Sequence, residues 1–285
     1  MRIKKHSNGN QYLLTEQNMW VRNFDKSHVS YLDINKTITD KDHFIFLENE
    51  VQNGLNRMPW IDSEPFYHEN IIIVSDGFDF KTKQTLLSKI PSNIAIIGVN
   101  GSLSKWEVPN RSLSYYVANN PYEECMRYLP KRAKILPKCI ASVRTNYKFL
   151  QNYRGTKYRY YPVNECNYTT LGMKEVKWQI DDYRNVICAA IGLSYKFGAS
   201  RVLLFCCDNT FKDERPGAIK LENGLWMYPQ QEIAHGLIDG NLYWLKNQPY
   251  QEVMIGNYSS GPKYENASYI NEGEIMSFFG MDKHE

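Results

Sequence analysis

Residues 181–208 read DDYRNVICAAIGLSYKFGASRVLLFCCD, and this stretch decides the fold. Val186, Ile187, Ala190, Ile191 and Ser194 recur at three- and four-residue spacing, which puts a small, apolar face on one side of a helix. Asp181 and Asp182 stand where an N-cap and first-turn negative charge are favourable, and Gly198 stands where a helix stops. Arg201 to Cys207 then runs apolar without alternation, as a strand covered on both faces does, and ends on Asp208. Ligands of open parallel sheets gather beyond the carboxyl ends of strands, so Asp208 is a candidate site residue.

The same grammar recurs upstream. Ile71–Val74 is a buried-strand signature followed by Ser75-Asp76-Gly77-Phe78-Asp79 and a helical run over Phe80–Lys89. The glycine allows close backbone approach to a ligand, which makes Asp76 and Gly77 candidates for binding, although a plain tight turn explains them equally well. Further strands are expected at Ile94–Val99, ending on Asn100-Gly101, and at Leu113–Ala118, ending on Asn119-Asn120-Pro121. A short helix is expected at Tyr122–Tyr128, strands at Cys139–Val143 and Tyr158–Val163, and a tyrosine-rich loop between Tyr147 and Tyr168. The polar run 209–231 has Pro and Gly but little periodicity and reads as a lid-like loop. A helix carrying His235 (Glu232–Lys246), a strand (Glu252–Gly256) and a last helix (Glu272–Phe279) follow. Alternating strands and helices predict an α/β, Rossmann-like domain over residues 67–285, its sheet mainly parallel with helices on both faces. Residues 1–66 predict a small irregular or β-rich extension, with strands at Gln11–Leu14, Val29–Ile34 and Phe44–Leu47 and with Trp20 and Trp60 as anchors.

Composition limits the partners. The 285 residues carry 34 basic and 31 acidic side chains, a net charge of +3, spread along the chain; this balance argues against a nucleic-acid partner. Nowhere do about 18 apolar residues run together, and the N-terminus lacks the apolar core of a signal peptide, so no membrane span and a cytoplasmic location are expected. Six cysteines form no C-x-x-C pair, and Cys188, Cys206 and Cys207, which fall inside apolar segments, read as small core residues. The tyrosines at 153, 158, 160, 161 and 168, interleaved with Arg154, Lys157 and Arg159, fit either a stacking surface or a half-buried strand.

Ile71–Phe80, the strand ends at Asn100 and Asn120-Pro121, the 183–208 unit and the closing NYSSGPKYENASYINEGEIMSFF (257–279) resemble one superfamily of folds over residues 70–280. It holds the flagellin-modifying Maf glycosyltransferases, the archaeal hydroxymethylpterin diphosphokinases (MptE-like) and the bacterial lipooligosaccharide sialyltransferases. Asn100, Asn119 and Asn120 are turn formers whose amides also suit a nucleobase or sugar edge; with Gly101, Asp76 and Gly77 they are the candidate nucleotide- or substrate-binding residues, although a carboxylate in the first loop would repel a phosphate. The superfamily's first loop normally reads G-x-G-P-S-L, and SDGFDF stands there in this chain. The diphosphokinases carry an acidic D-L-D-G-type metal site where this chain has Val117-Ala-Asn-Asn-Pro121, which leaves hard oxygen ligands for Mg²⁺ wanting. The sialyltransferases have an asparagine-proline there, need no metal, and carry a histidine base that His235 resembles; Thr210 replaces their phosphate-binding tyrosine, and Tyr228 is a second candidate phosphate donor.

Three readings follow. The first is a metal-independent, nonulosonate/sialyltransferase-like enzyme that uses a CMP-type nucleotide sugar and a hydroxyl acceptor on a glycan or protein, with His235 and Asp208 catalytic and no other cofactor. The second is a Mg-ATP-dependent hydroxymethylpterin diphosphokinase. The third is a non-catalytic module on the same fold. Each is compatible with a homo-oligomer.

Overall fold

The computed structural model describes residues 2–5, 11–14, 19–23, 35–36, 45–46, 48–50, 52–53, 58–61, 66–131, 136–162, 179–180, 182 and 185–281. By internal contacts the chain divides into Met1–Glu48 and Asn49–Glu285. The sequence reading placed this division at residue 66.

The smaller unit holds a four-stranded antiparallel sheet in sequential order: β1 (Arg2–Lys5), β2 (Gln11–Leu14), β3 (Met19–Asn23) and β4 (Asn35–Lys36). The expected strand at Val29–Ile34 lies outside the described residues, as does the Trp20 side chain. Phe44–Leu47 does not form the expected strand: Ile45 and Phe46 are helical, and residues 48–50 and 52–53 continue in the same conformation.

In the larger unit nine parallel strands form one sheet in the order β10-β9-β8-β7-β6-β5-β11-β14-β15. They are β5 (Asn70–Val74), β6 (Ala95–Val99), β7 (Tyr115–Ala118), β8 (Lys138–Ser142), β9 (Lys157–Pro162), β10 (Gln179–Ile180), β11 (Arg201–Phe205), β14 (Met254–Tyr258) and β15 (Ser268–Tyr269). An antiparallel hairpin, β12 (Ile219–Lys220) and β13 (Trp226–Met227), stands apart from it. Among the described residues the helices that accompany the sheet are α1 (Phe80–Lys83), α2 (Tyr147–Asn152), α3 (Val186–Lys196), α4 (Pro229–Lys246) and α5 (Ile275–Phe278).

The central strand β5 is buried on both sides, as its unbroken Ile-Ile-Ile-Val requires. Ile72 and Val74 enter an apolar cluster with Phe80, Leu87, Phe149 and Ile275, which places α1, α2 and α5 over one face. Ile71 and Ile73 turn to the other face, where α3 packs across β5, β6 and β7 and is itself covered by α4. The helix α3 is therefore buried on every side from Val186 to Ser194, rather than along the single face expected. Its N-cap is Asn185, whose side chain accepts from the Ile187 N–H at 2.8 Å. The expected cap Asp182 faces elsewhere, and Asp181 lies outside the described residues.

Other departures have local causes. The run after Asp79 makes one α-turn and then a 3-10 helix over Gln84–Lys89, stopping before Pro91. Tyr147–Asn152, expected as loop, is helical because Asn146 caps it by accepting from the Phe149 N–H at 3.2 Å. Tyr153, Tyr158, Tyr160 and Tyr161 are all buried, so they are core rather than a stacking surface; Tyr168 lies outside the described residues. Trp60 anchors the sheet edge as expected of a tryptophan, with the Arg159 guanidinium 4.3 Å from its ring centroid. Cys125, Cys139, Cys188, Cys206 and Cys207 are all buried. Among the described residues no helix is long and apolar enough to cross a membrane.

Candidate functional site

The sheet grows outward from β5 in two directions. β6 to β10 extend one half, and the chain then crosses back to lay β11 against the opposite edge of β5, with Arg201 opposite Asn70 and Phe205 opposite Val74. Loops leaving the carboxyl ends of β5 and β11 consequently diverge, and a crevice opens between them.

Backbone pairing ties these two loops together before they part. The Ser75 N–H donates to the Phe205 carbonyl at 3.1 Å, and the Gly77 N–H to the Cys206 carbonyl at 3.1 Å. Cys206 and Asn209 adopt left-handed φ of 53°, and Asn100 at the end of β6 has φ 51°. Such conformations cost a non-glycine residue about 1–3 kcal/mol each and gather where a site dictates the backbone. Asparagine tolerates them better than cysteine does.

Asp208 sits behind the crevice with 0% exposure. Its Oδ1 accepts from the N–H and the hydroxyl of Thr210, each at 3.1 Å, and its Oδ2 from the Gly261 N–H at 3.2 Å. Burial is the main influence on this carboxyl and raises its pKa; Thr210 opposes the rise and the nearby Asp79 adds to it. Asp79 itself pairs with Lys83 and accepts from the Ser260 hydroxyl at 2.5 Å. Burial acts to raise it, yet the hydrogen bonds from Lys83, Ser260 and Cys206 prevail and leave it below the ordinary value.

The crevice itself has a volume of about 580 Å³. Five cations line it (Lys81, Lys105, Arg127, Lys212 and Arg215) against two carboxylates, Asp76 and Asp213, an excess of three positive charges. Phe78, Phe80 and Phe211 supply apolar wall. The Arg127 guanidinium donates to the Tyr128 hydroxyl at 3.1 Å, and that of Arg215 lies 4.3 Å from the Phe211 ring centroid. None of these cations was singled out from sequence, since exposed lysines and arginines in separate loops leave no pattern. The β12–β13 hairpin was missed as well, although its Asn223-Gly224 turn, with Gly224 at φ 80°, is the usual sign of one. Its Asn223 amide reaches the Ser260 carbonyl at 3.2 Å.

Of the residues singled out beforehand, Asp76, Gly77 and Asn100 line the crevice. Gly101 lies just behind it, with its N–H on Asp76 Oδ1 at 3.2 Å. Asp208 shapes the wall through Thr210. Tyr228 caps α4 and lies 5.1 Å, ring to ring, from Phe211; its N–H donates to the Gln231 side chain at 2.8 Å, and Gln231 lines the crevice. His235, one turn further, does not line it. Its ring stacks on Tyr264 at 4.2 Å, and Nε2 faces the Pro262 carbonyl at 3.4 Å.

Asn119 and Asn120 do not line the crevice either. The Asn119 amide lies 3.5 Å from Asp182 Oδ2, which also accepts from the Tyr160 hydroxyl at 2.9 Å. Asn120 accepts from the Tyr122 N–H at 2.8 Å in a tight turn. The rim beyond β7 and β8 is closed by two asparagines of the helical stretch before it: Asn49 donates to the carbonyls of Pro121 and Arg144, and Asn53 to those of Val143 and Thr145, at 2.7–3.1 Å. Among the described residues no three His, Cys, Asp or Glu side chains cluster as metal ligands would.

Burial holds the His235 imidazole below the ordinary 6.5, with the Pro262 carbonyl, Asp239 and Glu232 only partly opposing it. His68 is lowered too, by burial and then by Lys138. The unfolded chain thus takes up these protons first as pH falls past 6.5, so the stability they confer is complete above that value and declines below it. The melting temperature is expected to fall as pH is lowered from about 7 to about 5, and His235→Gln should flatten that fall. An unchanged slope in the variant would remove His235 from the account.

No family model matches the chain, and no curated protein matches it. Among solved structures, the MAf glycosyltransferase from Magnetospirillum magneticum AMB-1 superposes with a TM-score of 0.59 over 82% of this chain, at 11% identity. This chain has the Maf fold. The resemblance read from the sequence therefore holds at the level of architecture. The chain spans about two fifths of that glycosyltransferase's length, 39% of it.

Proposed function

We propose that the chain is a glycosyltransferase that takes a sugar from a nucleotide donor and passes it to a hydroxyl acceptor. The observation that carries this reading is the excess of three positive charges lining a crevice at the switch point between β5 and β11. A nucleotide sugar brings one or two phosphates that such a lining would neutralise, and the exposed Phe78 offers a ring to a base or sugar. Transfer would proceed by direct displacement at the anomeric carbon, the departing nucleotide phosphate being stabilised by Arg127 and Arg215. A CMP-activated, nonulosonate-type donor and a cytoplasmic site of action complete the reading. Its fold-level support comes from the Maf enzyme, whose name carries the same activity.

Thermal shift and calorimetry with CMP, UDP, GDP and ATP, each with and without Mg²⁺, test the proposal. Metal-independent stabilisation by CMP is expected, reaching about 2.7 kcal/mol at about 100 times the Kd. Arg127→Ala and Arg215→Ala should each weaken binding by about 1.5–3 kcal/mol, and added salt should weaken it further. Stabilisation by Mg-ATP alone would favour the diphosphokinase-like reading. No shift with any nucleotide would leave a non-catalytic module.

A further inference from the structure

The proposed transfer needs a group to take the proton of the attacking hydroxyl, and the crevice holds one carboxylate built for that position. Asp76 is the second residue beyond β5. Its Oδ1 accepts from the Gly101 N–H at 3.2 Å, and its Oδ2 from the Lys105 ammonium at 2.7 Å. Asn100, at φ 51°, turns that N–H toward it, and the Asn100 carbonyl is pinned in turn by the Tyr116 hydroxyl at 3.0 Å from the buried core. Gly101 has no alternative: a Cβ there would run into the Asp76 carboxylate, 2.8 Å from its Cγ.

The side chain nevertheless keeps 23% exposure, and it faces the crevice that the cations line. A carboxylate offers about four acceptor positions, so two fixed contacts leave room for an incoming hydroxyl. The other carboxylate of the lining, Asp213, belongs to an exposed loop residue. His235 lies outside the lining, with its ring against Tyr264.

We propose that Asp76, rather than His235, is the catalytic base of the transfer; this rests on the glycosyltransferase reading. As the acceptor oxygen bonds to the anomeric carbon, its proton passes to a carboxylate oxygen of Asp76. The bond from that carbon to the nucleotide phosphate breaks, and its electron pair leaves on the phosphate. A weak base suffices, because the hydroxyl turns strongly acidic as its oxygen is alkylated. Asp76 then returns the proton to water through its exposed edge. Lys105 and Gly101 are positioning residues that fix the carboxylate.

Release of CMP from CMP-sialic acid, with water or a sugar hydroxyl as acceptor, is compared with formation of the glycosyl azide in sodium azide. Azide is already an anion and needs no base. Asp76→Asn is expected to lower transfer to hydroxyls about 10²–10⁴-fold while CMP affinity by calorimetry stays within about threefold and azide transfer stays near wild type. Gly101→Ala, which keeps the carboxylate but displaces it, should lose hydroxyl transfer in the same sense. Hydroxyl transfer retained by Asp76→Asn within about threefold, or an equal loss of azide transfer, overturns the proposal. A wild-type protein that binds no nucleotide and turns over no CMP-, UDP- or GDP-sugar overturns the glycosyltransferase reading itself, before any variant is compared, and the base with it.

Discussion

Gly77→Ala is expected to destabilise the larger unit by about 3 kcal/mol, at the upper end of what overpacking costs. The new methyl group would point at the Cys206 carbonyl and stand 2.6 Å from Asp208 Oδ1. Neither obstacle is the movable end of a long side chain. One is backbone already strained at φ 53°, and the other is a carboxylate tethered to Thr210 and Gly261. The loops leaving β5 and β11 must therefore separate, and the Gly77–Cys206 hydrogen bond breaks as they do. For a unit of this size about 2–4 °C of melting temperature is lost per kcal/mol, so a drop of about 6–12 °C is expected. Gly217→Ala is the control, since nothing lies within 4 Å of its added carbon and only its positive φ of 79° is unfavourable. Equal melting temperatures for the two variants would contradict the close approach at Gly77.

Asp208→Ala is the second large effect, a loss of about 2–4 kcal/mol measured by denaturant unfolding. Removing this fully buried carboxylate takes the acceptor from two backbone N–H groups and a hydroxyl. Relief from burying a charge offsets part of this cost. Asp208→Asn should lose less, because its oxygen still serves Thr210 and only the Gly261 N–H meets a donor. The native carboxyl holds its proton more tightly than the unfolded one, so wild type gains stability as pH falls through the window immediately above 3.8. Neither variant can follow it. Parallel pH curves for wild type and Asp208→Asn would contradict the raised pKa.

What could be read from sequence was whatever apolar burial dictates. Ile71–Val74, Ala95–Val99 and Arg201–Phe205 are strands because short apolar runs bounded by turn residues suit a doubly covered strand, whereas a buried helix needs about ten residues or more. Gly198, at φ 77°, ends α3 as expected. The failures share a cause too. Tyr147–Asn152 owes its helix to one side-chain cap against weak intrinsic propensity, and the helical residues 48–50 and 52–53 include two asparagines that reach distant carbonyls. Long-range hydrogen bonds write no period into a sequence.

The candidate site divides the same way. Asp76, Gly77 and Asn100 follow strands directly, so locating the strands located them. Asn119 and Asn120 also follow a strand, yet Asn49 and Asn53 close the rim above them, which only the folded chain reveals. Lys81, Arg127 and Arg215 belong to three separate segments and converge only in space. His235 does not line the crevice and stacks on Tyr264, because order along the chain does not say which way a helix turns its side chains.

The seam between β5 and β11 also bears on how the molecule is made. Its first half is synthesised early, with Asn70 pairing to Arg201 far downstream, after all of β6 to β10. Until then one flank of an isoleucine-rich strand has no partner, the situation in which nascent parallel sheets are prone to associate wrongly. The anion-attracting hollow cannot exist before that flank is closed. The crevice therefore waits for β11 and the segment through Gln231, and any agent that recognises it would select only chains in which that seam has closed.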